Sequence, residues 1–351
     1  MSVWNWIHAF LKRVENDPQR LDLYFRFNDA LECREADPGR TMAMLQEGRH
    51  IARDLDEPWW DLFFEHWALQ TLLFYSHDYT QVVDRAVKAT IEATKPTFRD
   101  FPQRVCLHED LIYSYVGIDP DGYAPKIEQA LDYMRREVHP NLECNHCLIG
   151  CRTAFELNRE KFDVAQESAE KELELAEQKS SDHYAGEALR TLCQLGDAPQ
   201  GLRDDARTRP GRRETHRARL EREGQTAEFL VYQTIAWTTM EETRHAQRCY
   251  GKAIPKIKGL AVPNEELYET LITYQEVLGD REKALRFRDR QWQIHGNRGK
   301  LLTDVRILRE RCRQLKELGR LTDADVEQAK TAIRKLRHPE PQLQRLSLIA
   351  R

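Results

Sequence analysis

Apolar residues recur along nearly the whole chain at the i, i+3, i+4, i+7 spacing of an amphipathic α-helix. The pattern is interrupted at short polar or Pro/Gly breaks. These fall at Asp37-Pro38-Gly39, Glu57-Pro58, His77-Asp78, Lys95-Pro96, Asp119-Pro120-Asp121-Gly122, His139-Pro140, Lys179-Ser180-Ser181, Gly196-Asp197, Gly224, Pro263-Asn264, Gly279-Asp280 and Gly296. Between them the stretches run roughly 14–22 residues, which suits helices that double back through short loops. No stretch alternates with period two between turn pairs, so the pattern predicts no sheet.

The second helices of the predicted pairs resemble one another. Asp78-Tyr79-Thr80-Gln81-Val82-Val83, Lys161-Phe162-Asp163-Val164-Ala165-Gln166 and Gly279-Asp280-Arg281-Glu282-Lys283-Ala284 share a turn followed by a small or apolar position. That position recurs near 43, 82, 124, 165, 246 and 284, a period of about 38–42 residues. The fullest unit reads Ala246, Tyr250, Ala253, preceded by Leu230, Thr234 and Trp237. This arrangement resembles the tetratricopeptide-repeat family in a long-helix variant.

That resemblance implies an all-α fold: a right-handed α-solenoid of stacked antiparallel helix pairs with terminal capping helices. Stacking is physically required because one pair cannot hide its own apolar stripe. Residues 1–17 are expected to cap the N-terminus, 18–296 to form the array, 297–338 a C-terminal hairpin and 339–351 a tail. An irregular arginine-rich insertion is expected near 197–223. Carried over residue by residue, the family geometry implies an inward face with Trp67, Thr71, Glu109, Tyr113, Val231, Ile235, Glu269 and Thr273. Such a face would bind a peptide or partner protein, its carboxylates accepting charge-assisted hydrogen bonds from a basic peptide.

Composition narrows the classes. Gly (16) and Pro (14) are too few for a turn-rich all-β chain, and 40% hydrophobic residues provide for a sizeable core. A net charge of −4 argues against a basic nucleic-acid binder. The arginines of 197–223 are interleaved with carboxylates, the pattern of a solvated segment, with RNA or an acidic partner as the minor alternative. Mean hydropathy is −0.72 and no run is long enough to span a membrane. The first residues lack the pattern of a secretory signal, so the expected location is cytoplasmic with reduced cysteines.

Candidate chemistry is sparse. Cys144, Cys147 and Cys151 share one helical stripe, which suits a core face; the alternative is a metal-binding or redox protein built on those thiols. His108-Glu109-Asp110 is a compact polar triplet, but sequence neighbours on a helix do not face each other. There is no HExxH or Gly-x-Ser-x-Gly pattern, and Gly296–Leu301 is too short for a phosphate loop. The expectation is therefore a non-enzymatic scaffold with no cofactor; the first alternative is a peptide-sensing regulator that changes conformation on binding. The aromatic run Trp59–Tyr75 is apolar on both faces and is expected to be buried on both, with the N-terminal helix as cover through Trp4, Trp6, Ile7, Phe10, Leu11 and Val14; the alternatives are that one face lines a binding groove and that the N-terminal helix lies on a membrane surface or a partner. Near the C-terminus Leu301, Val305, Leu308, Cys312 and Leu315 form a heptad seam. It is expected to close a hairpin with Val326, Ala329, Ile333 and Leu336, with a homodimer as its rival use.

Overall fold

The computed structural model describes residues 3–179 apart from 35, 77, 80 and 139–143. It also describes isolated positions between 181 and 195, and residues 227–350 apart from 240–242 and 260–264. The arginine-rich stretch 197–223 and Cys193 lie outside the described residues. Among those described there are sixteen α-helices, packed pairwise, and no strand. The chain divides into two compact units, residues 1–159 with 298–300 and residues 160–297 with 301–351.

The first unit holds α1 (Val3–Arg13), α2 (Pro18–Cys33), α3 (Pro38–Asp54), α4 (Pro58–Thr71), α5 (Val82–Ala93), α6 (Cys106–Ile118), α7 (Ala124–Glu137) and α8 (Cys144–Asn158). Helix α4 runs on into a π-helical turn, Leu72–Ser76. Local chemistry sets the helix starts. Proline opens α2, α3 and α4, where its missing N–H would have had no partner. The Asp17 and Asp37 carboxylates accept the Arg20 and Arg40 N–H at 3.2 and 2.9 Å and cap the first two of these helices.

A single packing rule repeats through the second helices. In α3 the buried stripe is Thr41, Leu45, Gly48 and Ala52; in α5 it is Val82, Ala86, Ala89 and Ala93. In α7 and the residue after it, Ile127, Leu131, Met134 and Val138 have the same spacing. Two of the expected register positions are corrected here. Ala43 is exposed and Ala124 only half-buried, and the buried positions are Thr41 and Ile127. Small residues on the stripe let helices cross closely. A Cβ on Gly48 would stand 2.6 Å from the Phe64 ring, and one on Gly117 2.3 Å from the Tyr79 ring.

Helix α1 covers the start of the aromatic run, whereas Trp67, Phe74 and Tyr75 further along it are not fully buried, contrary to expectation. Trp6, Ile7, Phe10 and Val14 are buried in one cluster with Trp60, Phe63 and Phe64. The Trp6 ring lies 5.2 Å from Trp60 and 5.3 Å from Phe63. Trp4, however, remains exposed.

The second unit holds α9 (Phe162–Gln178), α10 (Ala227–Thr239), α11 (Thr243–Gly259), α12 (Glu265–Val277), α13 (Arg281–His295), α14 (Leu301–Glu317), α15 (Asp323–Ile333) and α16 (Glu340–Ala350). The same stripe runs through α9 as Ala165, Ala169, Glu172 and Ala176, and through α13 as Ala284, Arg288, Gln291 and His295. The tail expected after Pro339 is a helix. Its Gln342 and Leu346 are buried, and Leu346 joins Val305, Leu308, Cys312, Ala329 and Ile333 in one core. The heptad seam is thus covered within the chain. Thr322 opens α15 with a capping box to Asp325.

Candidate functional site

Helices α4 and α6 of the first unit bring together a cluster of buried and half-buried titratable side chains. Consecutive residues of α6 point to three different helices, as helical geometry requires. His108 stacks on Tyr133 of α7 at 4.0 Å. Asp110 turns to α4, where it accepts from His66 Nδ1 at 2.7 Å and from Gln70 Nε2 at 2.5 Å. Glu109 accepts a hydrogen bond from the Cys147 thiol of α8. Cys106, at the start of α6, shares a hydrogen bond with Cys144, at the start of α8.

The electrostatics follow from depth. Burial pulls His108 down to about 4, so this imidazole is neutral near pH 7. Burial also opposes the charge on His66, but the Asp110 carboxylate outweighs it and holds the His66 pKa above its ordinary value. Burial, aided by the Asp110 charge, pushes the Glu109 carboxyl up to about 7, against the opposing effects of His66 and the Cys147 thiol. The Cys106 thiol is raised well above its usual range, first by its hydrogen bond with Cys144 and then by burial. The arrangement therefore holds protons near neutrality and keeps Cys106 as a thiol, the poorly nucleophilic form.

Glu109 makes stability depend on pH. Its folded pKa of about 7 exceeds the ordinary 4.5, so the folded chain binds this proton more tightly. The corresponding stabilisation is fully present below pH 4.5 and is lost as pH rises through 7. Glu109→Gln should match the natural chain near pH 5 and exceed it at pH 8 by about 2 kcal/mol, a figure discounted for partial exposure. Thermal melts at the two pH values check this; an unchanged gap would contradict the assignment.

Around this polar centre lies an incomplete aromatic layer. Trp60, Phe63 and Phe64 are fully buried, whereas Trp67, Tyr75 and Tyr113 are half-buried and Phe74 is exposed. Tyr113 meets Phe74 edge-on at 5.2 Å, and Trp67 lies 5.3 Å from Phe27. The Trp67 Nε1 is buried without an acceptor. Thr71 is buried, and its hydroxyl is used on the Trp67 carbonyl at 2.8 Å. Of the four expected contact residues in this unit, Trp67, Glu109 and Tyr113 thus retain accessible surface.

The four expected contact residues of the second unit fare differently. Val231 is fully buried with Leu230, Ala253, Leu267 and Leu271, so it is a core residue. Ile235 packs at the edge of that cluster, half-buried. Glu269 does keep surface, but its carboxylate is occupied by the chain's own groups, pairing with buried Arg288 and accepting from Gln291 Nε2 at 2.7 Å. Thr273 is exposed and donates back to the Glu269 carbonyl at 3.0 Å.

The cysteine stripe is also revised. Cys151 is fully buried beside Phe155 and Met134, as a core position should be. Cys144 and Cys147 instead face Cys106 and Glu109, partners about 38 residues away that the local pattern could not reveal. Among the described residues no group of three or more His, Cys, Asp or Glu side chains is placed to hold a metal ion. No helix there is long and apolar enough to cross a membrane. In comparisons with known proteins, no family model matches the chain and no curated protein matches it.

Proposed function

We propose that this chain is a helical-repeat scaffold of the tetratricopeptide type, a right-handed solenoid whose first-helix face binds a peptide or partner protein in the cytoplasm without catalysing a reaction. One observation carries the reading. The aromatic layer of α4 and α6 is fully packed on the side covered by α1 and left part-open at Trp67, Phe74, Tyr75 and Tyr113. Half-buried aromatics over a rigid packed base supply large contact area at small entropic cost, the usual character of binding hot spots. Glu109 places a carboxyl on the same helix, one turn before Tyr113.

The test is capture from a lysate of the native host by the immobilised full chain and by a Trp67→Ala/Tyr113→Ala variant. Truncating two hot-spot aromatics should cost about 2 kcal/mol each, enough to remove the captured set. Trp67 also touches Phe27, so circular dichroism melts accompany the assay and Tyr113→Ala alone serves as the milder variant. Equal capture by all three proteins would overturn the binding face.

A further inference from the structure

We infer that the Trp67–Tyr75 aromatic pair is a seat for an arginine side chain of the bound peptide, filled in the unliganded chain by the protein's own Arg34. This rests on the binding face proposed above and names the chemistry it recognises. The Arg34 guanidinium lies 5.0 Å from the Tyr75 ring centroid and 5.7 Å from that of Trp67. Both distances fall within the range where a cation is drawn to an aromatic face. Arg34 follows the last residue of α2 and has no hydrogen bond or ion pair among the described residues. It therefore differs from Arg20, Arg26, Arg49, Arg53 and Arg85 of the same unit, each of which pairs with a carboxylate.

The chain's own cation shows which chemistry the rings accept. A planar guanidinium stacks on rings and is more weakly hydrated than an ammonium, so arginine is the better fit. Among the described residues the two ring faces alone hold Arg34 there, which makes it displaceable. An incoming arginine competes with it and meets the rings only in the fraction of molecules where Arg34 has swung away.

The probe is a capped Gly-Gly-Arg-Gly-Gly peptide, with the citrulline version as a neutral control of the same shape. Each is titrated into the full chain and into Arg34→Gln, following the Trp67 indole N–H resonance, assigned with Trp67→Phe. The expected result is saturable movement of that resonance with the arginine peptide, affinity about threefold to fivefold higher in Arg34→Gln, and no movement with citrulline. Equal response to the two peptides, no response in either protein, or unchanged affinity in Arg34→Gln would overturn the inference. If lysate capture still depends on Trp67 and Tyr113 while the arginine peptide fails, the seat is wrong and the binding face stands. Loss of both removes the face itself.

Discussion

Phe63→Ala is expected to destabilise the first unit by about 3–5 kcal/mol, seen as a thermal midpoint lower by on the order of 10 °C. Phe63 is fully buried and sits at the hub of the aromatic core. Its ring centroid lies 4.6 Å from Phe27, 5.1 Å from Trp60 and 5.3 Å from Trp6, so it joins α1, α2 and α4. Removal leaves a cavity bounded by rigid rings that cannot collapse inward, and it forfeits several edge-on contacts. Phe25→Ala on the exposed side of α2 is the control and should change stability by no more than about 0.5 kcal/mol. Equal losses at the two positions would contradict the packed hub.

Glu65→Ala has the next largest expected effect, a loss of about 3 kcal/mol. The Glu65 carboxylate is nearly buried on α4 and links two neighbouring helices. It accepts from Arg85 Nε and Nη2 at 2.8 Å each and pairs with Arg49. Arg49 in turn bonds Asp61 at 2.6 Å, and Arg53 bonds the same carboxylate at 2.8 Å. Deleting Glu65 strands the Arg85 guanidinium and leaves Arg49 with Asp61 alone, each guanidinium still about a quarter exposed and able to reach water. That relief places the effect toward the lower end of the range for a broken buried pair. Denaturant unfolding measures it; a change under about 1 kcal/mol would show that the network adds nothing beyond solvated charge.

Local periodicity made the helices legible, because a 3.6-residue repeat of apolar positions is written within each segment. The second-helix stripes and the cover from Trp6, Ile7 and Phe10 were accessible in this way. Register was less so. The sequence around Met42-Ala43-Met44 offers small and apolar residues on more than one face, and only the neighbouring ring of Phe64, set close by Gly48, selects Thr41 and Leu45. The C-terminal helix was missed because Pro339 and Pro341 read as breaks, although proline costs nothing in a first turn.

The candidate site was only half legible. Trp67, Glu109 and Tyr113 came from family geometry, and each retains surface. His66–Asp110 and Cys106–Cys144 join residues about 40 positions apart on different helices. No spacing rule within one helix reports such a meeting, which depends on how the pairs stack. Val231 and Glu269 show the complementary limit. A first-helix position tells which way a side chain leaves its helix, and the packing of neighbours then decides whether that side is core or surface. In α13 the stripe carries Arg288 and Gln291 in place of apolar residues, and their burial consumes the Glu269 carboxylate of α12.

Placing a photoreactive benzoyl-phenylalanine at Phe74, on the open aromatic edge, tests the central claim most directly. The same group at Phe162, an exposed aromatic of α9, is the comparison. The account expects cross-linked adducts to a partner from position 74 and none from 162, with the adducts competed away by unmodified protein. Adducts that form equally at both positions, or from 162 alone, would contradict it.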